Sequence, residues 1–424
     1  MAPDLLRPPS GLSGAAGNPI TVRASNDGGV LFDGQGAATP VRLSQNDHWR
    51  LEGFDAANGV ASVVVIGGHG NPGAGIRDVE VRRVVAWDAS LLTTYNAKIF
   101  TVNDARDIVL EDVAGFGSAR KVFEVYRSQS VTIRRAWARW EGFQATLEER
   151  KLAFSCTYRS YNVICENLIA EVGDGLSPGW KVGSAIGMDP LNEDDTWAPR
   201  EPFDANLRVL GSLAMVPAGL AQPPGSAVHF GGAKGITLTD VVSVVDDPGV
   251  VPFNLIPCEP PCEIPEGEAA DLSLEYGTAL SDKPSVITTQ WTVSGFETGA
   301  AQATPDVYSV DDTAQLCKRY QDGVLTAAPL WPWPMNRRIA SATAYARGEA
   351  HDVTAEVYAR FGEPPSECVE PTPPRAVRSS CGLGPVAVAV IGLLLALRVR
   401  RPDRLSLEPR KRRSLDERHL AQER

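Results

Sequence analysis

The chain has 424 residues, 43% hydrophobic and 22% charged, with a net charge of −11; that is enough apolar material to bury a core. Its 39 glycines and 32 prolines give a turn-rich composition that stops short of low complexity. The acidity excludes nucleic acid as a general partner, because phosphate binding needs a basic face. Residues 1–22 carry no apolar run of the length an export signal needs. Asn18-Pro-Ile-Thr-Val22 already reads as a strand entering in mid-fold, so 1–16 is expected to be a disordered or truncated start.

From there a turn signal followed by alternating apolar residues recurs along the chain. The copies are Asn18-Pro-Ile-Thr-Val22, Asp47-His-Trp-Arg-Leu51, Arg77-Asp-Val-Glu-Val81, Arg106-Asp-Ile-Val-Leu110, Gln129-Ser-Val-Thr-Ile133, Tyr161-Asn-Val-Ile-Cys165, Ala205-Asn-Leu-Arg-Val209 and Lys234-Gly-Ile-Thr-Leu238. Their first apolar residues, 20, 49, 79, 108, 131, 163, 207 and 236, are separated by 29, 30, 29, 23, 32, 44 and 29 positions. A second series lies between them: Ser62–Ile66, Lys98–Val102, Lys121–Val125, Lys151–Ser155, Ser184–Met188 and Ser226–Phe230. Two short strands per repeat at fixed phase, without helical periodicity between them, predict stacked coils rather than a βαβ sheet. One coil buries too little alone, so neighbours must share the core.

This pattern, with Asn18–Ser25 and Gly29-Val-Leu-Phe-Asp-Gly34 as opening coils, resembles the right-handed parallel β-helix proteins of the pectate-lyase-like superfamily. The resemblance covers about 17–300 and implies an all-β solenoid, with the parallel β-helix expected over 17–310. It also implies a chemistry, since lyases of that superfamily remove the proton α to a uronate carboxylate, using a cation and a base. Lys121, Arg127 and Arg135 lie in the densest basic stretch, interleaved with Phe123, Tyr126, Trp137 and Trp140, and are the residue types that reaction needs. The alternative is that these cations pair with Glu111, Asp112, Glu124 and Glu141 as solvated ladders.

Other constellations are weaker. Gly67–Gly75 lacks the Lys-Ser/Thr of a phosphate loop and precedes a strand, so it reads as a connection between coils. The 44-residue coil carries Asp189, Glu193, Asp194 and Asp195 between Trp180 and Trp197. The tryptophans suit stacking on sugar rings, and the carboxylates suit Ca²⁺, glycosidase acid–base work or plain loop solubility. His229 beside Phe230 reads as a coil histidine rather than a catalytic one.

Setting Cys381 aside, the six cysteines 156, 165, 258, 262, 317 and 368 are expected to form disulfides in an exported body, with proximity suggesting 156–165, 258–262 and 317–368. Cys258 and Cys262 have no companion pair for a metal site. Beyond the coils, 311–362 is expected to be a helical or irregular cap over the open end of the last coil. Its helix runs over Ile339–Phe361, with Asp352 as N-cap of the second half. Residues 363–380 form a Pro-rich stalk.

Cys381–Leu397 is a run of 17 uncharged residues, about 26 Å as a helix against a hydrocarbon core of about 30 Å. Arg398, Arg400, Arg401 and Arg404 follow it. A transmembrane or sorting segment at 381–398 with a basic cytoplasmic tail at 399–424 is therefore expected. Residues 379–404 resemble C-terminal sorting signals of the myxosortase type, which implies Cys381 as the processing and lipid-attachment point. Together these readings describe an exported, cell-surface-anchored, monomeric β-helix protein, directed at polysaccharide as a binding or structural protein. The alternative is a lyase or glycoside hydrolase acting on acidic polysaccharide, with Ca²⁺ as the only candidate ion.

Overall fold

The computed structural model describes residues 4–68, 75–89, 96–142, 152–158, 160–173, 184–188, 204–220, 224–231, 233–256, 271–308 and 316–370. Apart from one antiparallel hairpin, all paired strands within them run parallel to their neighbours, in a 16-stranded and a 9-stranded sheet. Each turn of the chain visits three faces and then returns beside its own start, so the fold is a parallel β-helix.

The first face begins with Ile20–Arg23, Trp49–Glu52, Arg77–Arg82 and Arg106–Glu111. Four long strands follow, Gln129–Gly142, Tyr161–Val172, Asp204–Val216 and Lys234–Val245. They bend in mid-course and continue onto the second face, which is why both faces belong to one sheet. The third face is the 9-stranded sheet, running from Val41–Leu43 through Lys98–Asn103, Lys121–Tyr126, Leu152–Tyr158, Ser184–Met188 and Ser226–Phe230 to Val286–Ile287.

The periodic apolar residues form the inner ladder of the first face. Ile20, Trp49, Val79, Ile108, Val131, Val163, Leu207 and Ile236 are partners in register, and the series runs on through Leu272 to Trp291. The residue just before each step turns the chain in the left-handed region: His48, Asp78, Asp107, Ser130, Asn162, Asn206 and Asp271 all have φ between 38° and 58°. Asp and Asn are common there because their short polar side chains tolerate that conformation better than most residues do. A second left-handed column makes the bend between the first two faces, with Arg83, Asp112, Arg135, Asn167, Gly211 and Asp240.

Size complementarity closes the core. The third face points Phe100, Phe123 and Phe154 inward as a stack with centroids 4.6 and 4.8 Å apart. Facing them, the second face points in Ala56, Ala86, Gly115, Ala138, Ala170, Ala214, Ser243 and Ala279 in register. A Cβ on Gly115 would lie 2.6 Å from Val122 and 3.2 Å from the Phe123 ring, so the ladder of small residues is what makes room for the aromatic one.

The second face is unusual in being apolar on its outside too. Val85, Trp87, Ala114, Phe116, Trp137, Ile169, Leu213 and Val242 form a second core with Trp331, Met335, Ile339, Val353 and Val357 of the C-terminal arm. That arm holds the hairpin Lys318–Gln321/Val324–Pro329, helix α1 (Asn336–Arg347) and helix α2 (Val353–Phe361). Gly348 ends α1 in a left-handed turn, and Asp352 caps α2 by accepting from the Ala355 amide. The expected single helix is thus two, with its second N-cap as read from the sequence.

Among the described residues, the arm does not close the last coil. It lies along the second face, where Arg338 pairs with Asp27 and Asp55 in the opening coils and Arg347 pairs with Asp88 and Glu141 at 2.7 and 2.8 Å. The physical reason is the second apolar face, which offers far more surface to cover than a coil end. Val293 of the final strand stays 41% exposed.

Of the expected disulfides, Cys317–Cys368 is formed and ties the hairpin to the end of the arm. The 156–165 bond is not: both cysteines are buried free thiols, small apolar groups in the coil interior. Burial pushes the Cys165 thiol up, and a contact with Cys156 adds to this. Cys258, Cys262, Cys381 and the expected membrane segment lie outside the described residues. Among those described, no helix is long and apolar enough to cross a membrane.

Candidate functional site

The outer sides of the three faces differ in what their side chains already do. On the first face, Arg23, Glu52, Arg82, Glu111, Arg134 and Glu166 alternate in charge, coil by coil, in register. Arg82 and Arg134 lie 3.1 and 3.0 Å from Glu111. Glu166 accepts from the amides of Asp322 and Gly323 in the hairpin turn, while the Tyr320 ring packs over Gly211, where a Cβ would come within 2.7 Å of it. These groups are occupied with one another.

The second face carries the buried clamp of the arm. Trp137 Nε1 donates to Glu171 at 2.7 Å, and His351 lies 3.0 Å from Glu171 through Nε2 and 3.1 Å from Glu356 through Nδ1. Burial would lower the His351 pKa, but the two carboxylates overcome it and push it up to about 9. Glu171, His351 and Glu356 are close enough together to suggest a metal ligand set. The Arg139 guanidinium, 3.2 Å from Nδ1, puts another positive charge where an ion would sit, and both imidazole nitrogens are already engaged. The cluster is a fastening. The groove of about 600 Å³ beside α2 is walled by Glu171, His351, Glu356 and Arg139 with Met215 and Arg360.

The third face is different. Its outer ladder runs Val65, Thr101, Glu124, Ser155, Gly187, His229, Asn254 and Val286 in register. Six of these eight are polar or glycine, yet Thr101, Glu124, Ser155 and His229 are buried. Lys98 and Lys121 approach the two oxygens of Glu124 at 2.9 and 2.8 Å. Burial would raise the Glu124 pKa, but the two ammonium groups hold its carboxyl far below the usual range. Lys98 goes the other way: burial lowers its pKa and Glu124 only partly compensates. Around this triad Arg120 contacts Asn96, and Arg127 pairs with Asp104 at 2.5 Å and lies over the Tyr126 ring. Further along, Asn254 Nδ2 lies 3.1 Å from His229 Nδ1. The Ser155 hydroxyl is fully buried with no hydrogen-bond partner among the described residues. On this face, within Lys98–Asp104, Arg120–Arg127 and Leu152–Tyr158, four cations (Lys98, Arg120, Lys121, Arg127) meet two carboxylates (Asp104, Glu124). The connections flanking it, at 69–74, 90–95, 143–151, 174–183, 189–203, 221–223 and 257–270, lie outside the described residues.

The three cations expected from the sequence are placed apart by the coil geometry. Lys121 enters the third face and bonds Glu124. Arg127 occupies the left-handed corner that leaves that face, at φ 45°. Arg135 occupies the bend between the first and second faces, at φ 48°, and pairs with Glu111 and Asp112. Each is in an ion pair, more buried than a solvated ladder. Trp180, Asp189, Glu193, Asp194, Asp195 and Trp197 lie outside the described residues. Sequence reading passed over Lys98 and Ser155 as site residues. The only signal for them was their phase, each sharing a strand position with Lys121 or Glu124 one coil away.

No family model matches the chain, and no curated protein matches it in sequence. Among solved structures it is similar to one titled as the crystal structure of an alginate lyase from Paenibacillus sp. str. FPU-7, at 11% identity, with 70% of this chain and 89% of that chain covered and a TM-score of 0.39. A likeness of that size carries no argument about activity, and the β-helix rests on the strand pairing itself.

Proposed function

We propose that this protein binds an acidic polysaccharide lengthwise along the outer side of its third face, with Lys98, Lys121 and Arg127 supplying positive potential and Tyr126 a ring surface. One observation carries the reading. A chain of net charge −11 gathers four cations against two carboxylates on a face whose outer polar ladder, among the described residues, serves neither the arm nor an alternating charge ladder. Repeat scaffolds present such ladders as straight tracks matched to extended polymers. The test is affinity electrophoresis of the full chain through gels holding polygalacturonate or a neutral glucan. Retardation by the uronate polymer alone supports the reading, and equal mobility in both gels removes it.

The lyase reading is the alternative, and it would draw its cation and base from this same cluster. Absorbance from newly formed double bonds in a uronate polymer would reveal elimination. The apolar run at 381–397 and its basic flank support a surface-tethered placement of the coil body. Membrane fractionation of cells expressing the chain tests that, with the body expected in the membrane fraction and released by proteolysis within 363–380.

A further inference from the structure

The two ends of the coil stack are finished differently. At the start, Leu6 bridges Val41 and packs on the core, and the amides of Leu5, Leu6, Gly11 and Gly14 donate to the carbonyls of Thr39, Pro40, Gln45 and Asp47. The chain thus lays its own residues along the third face of its first coil. The last coil, 281–300, has no such cover among the described residues. Its strands Val286–Ile287, Trp291–Ser294 and Glu297–Gly299 each pair on one side, which leaves a sheet edge on all three faces. The core is open here as well. Ile287, Val293 and Thr298 continue the inner ladders of Leu255, Leu274 and Ala279, yet Val293 and Thr298 are exposed and Ile287 is half-buried. A hollow of about 630 Å³ lies among Ala279, Ile287, Phe296 and Thr298. It is the room that inner side chains of one more coil would fill.

Natural sheet edges are guarded by charge, and this one is lightly guarded. Residues 281–300 carry three charged side chains, Asp282, Lys283 and Glu297. Lys283 Nζ turns back to the Gly249 carbonyl at 2.6 Å, and Asp282 accepts from the Ala301 amide. We propose that this open end is the contact surface of a homodimer, in which the last coils of two copies abut. Seen from its own open end, every copy winds the same way. Two such ends brought face to face therefore run their strands in opposite directions, and antiparallel pairing satisfies both edges. The operator is a twofold, which closes at two copies. Stacking the open end on the start of another copy would give a filament instead, and the cover of Leu5 and Leu6 on the first coil obstructs that. The final coil of 20 residues matches the roughly 20–30 that one side of a stable interface uses, and scarcity of charge is what the centre of such an interface shows. This replaces the monomer expected from the sequence and stands apart from the polysaccharide reading.

The test is sedimentation of the full chain over a range of concentrations, in a non-ionic detergent that masks the apolar run at 381–397, with hydrogen exchange read in parallel. The parent is expected to form a dimer that dissociates on dilution, and the amides of Trp291–Ser294 and Glu297–Gly299 should gain protection as it forms. Val293→Lys places two like charges in the contact and should raise the dissociation constant roughly tenfold. Because Val293 is exposed in the single copy, the diluted variant should melt as the parent does. Val286→Lys, at a side chain 47% exposed, serves as a second variant should the first fail to fold. A dimer that survives both substitutions, or that forms without protecting these amides, is held elsewhere and overturns the proposal. A parent that stays a single copy at every concentration overturns it too.

Discussion

The second and third faces share a scaffold and differ in what their outer positions are used for. Both point a uniform ladder into the same core, small residues on one and aromatic on the other. Outside, the second face carries Trp87, Phe116 and Trp137 and is covered by the arm, whereas the third carries Thr101, Glu124, Ser155 and His229. Apolar outer residues convert a face into folding free energy. Buried polar ones do the opposite unless each is satisfied, so a face that keeps them is being held for something other than stability.

The comparison can be broken by substitutions that should separate folding from binding. The largest effect is expected from Trp137→Ala on the second face. The side chain is fully buried against Phe116 and His351, and its loss should cost about 3–5 kcal/mol in denaturant unfolding. The folded fraction should bind polymer as the parent does; lost affinity at unchanged stability would show that the second face takes part in binding. Glu124→Gln on the third face should cost about 3 kcal/mol, because Lys98 and Lys121 would be left buried beside a neutral amide. Here binding should change too, with a steeper salt dependence as the two cations turn to the ligand. Reduction of Cys317–Cys368, which closes a loop with a sequence separation of 51, should lower stability by about 2–4 kcal/mol. The loss should appear as a lower Tm in reducing buffer.

The first face was legible in the sequence because its inner residues alternate with outer polar ones, so Val79-Glu80-Val81 and Val131-Thr132-Ile133 announce a strand and its phase together. The third face was half legible. Its inner Phe100, Phe123 and Phe154 could be aligned, but the outer residues are too mixed to show a period. The second face was hidden. Its four long strands run on from the first through left-handed bends at Arg135, Asn167, Gly211 and Asp240, with no turn signal to mark a new strand. Having apolar residues outside and alanines inside also reverses the usual contrast. The arm's destination was illegible for the same reason, since nothing local says that Trp331 and Ile339 pack on a surface formed far earlier in the chain. For the candidate site, the residue types came through but not their places. Arg127 and Arg135 suited the chemistry, and only the corners of the coil separate them from Lys121.

The smallest predicted effect concerns the fastening between the faces and the arm. His351 sits between Glu171 and Glu356 with its pKa raised to about 9 from an ordinary 6.5. A raised folded-state pKa means that the native protein binds the proton more tightly than the unfolded chain does. The stabilisation is complete below about pH 6.5 and is lost progressively as pH climbs through 9. Its size is on the order of 2 kcal/mol, because the shift is opposed by burial and shared among three groups. Facing charges bear on it as well: Arg139 from the second face opposes protonation, and Glu171 and Glu356 favour it. Unfolding free energy should therefore fall between pH 6.5 and 9 in the parent, and His351→Gln should flatten that slope while lowering stability at pH 6. If the fastening is purely structural, affinity for polymer will hold steady over the same interval. A parallel drop in affinity would mean that the arm on one face and the ladder on the other are coupled through the coils between them.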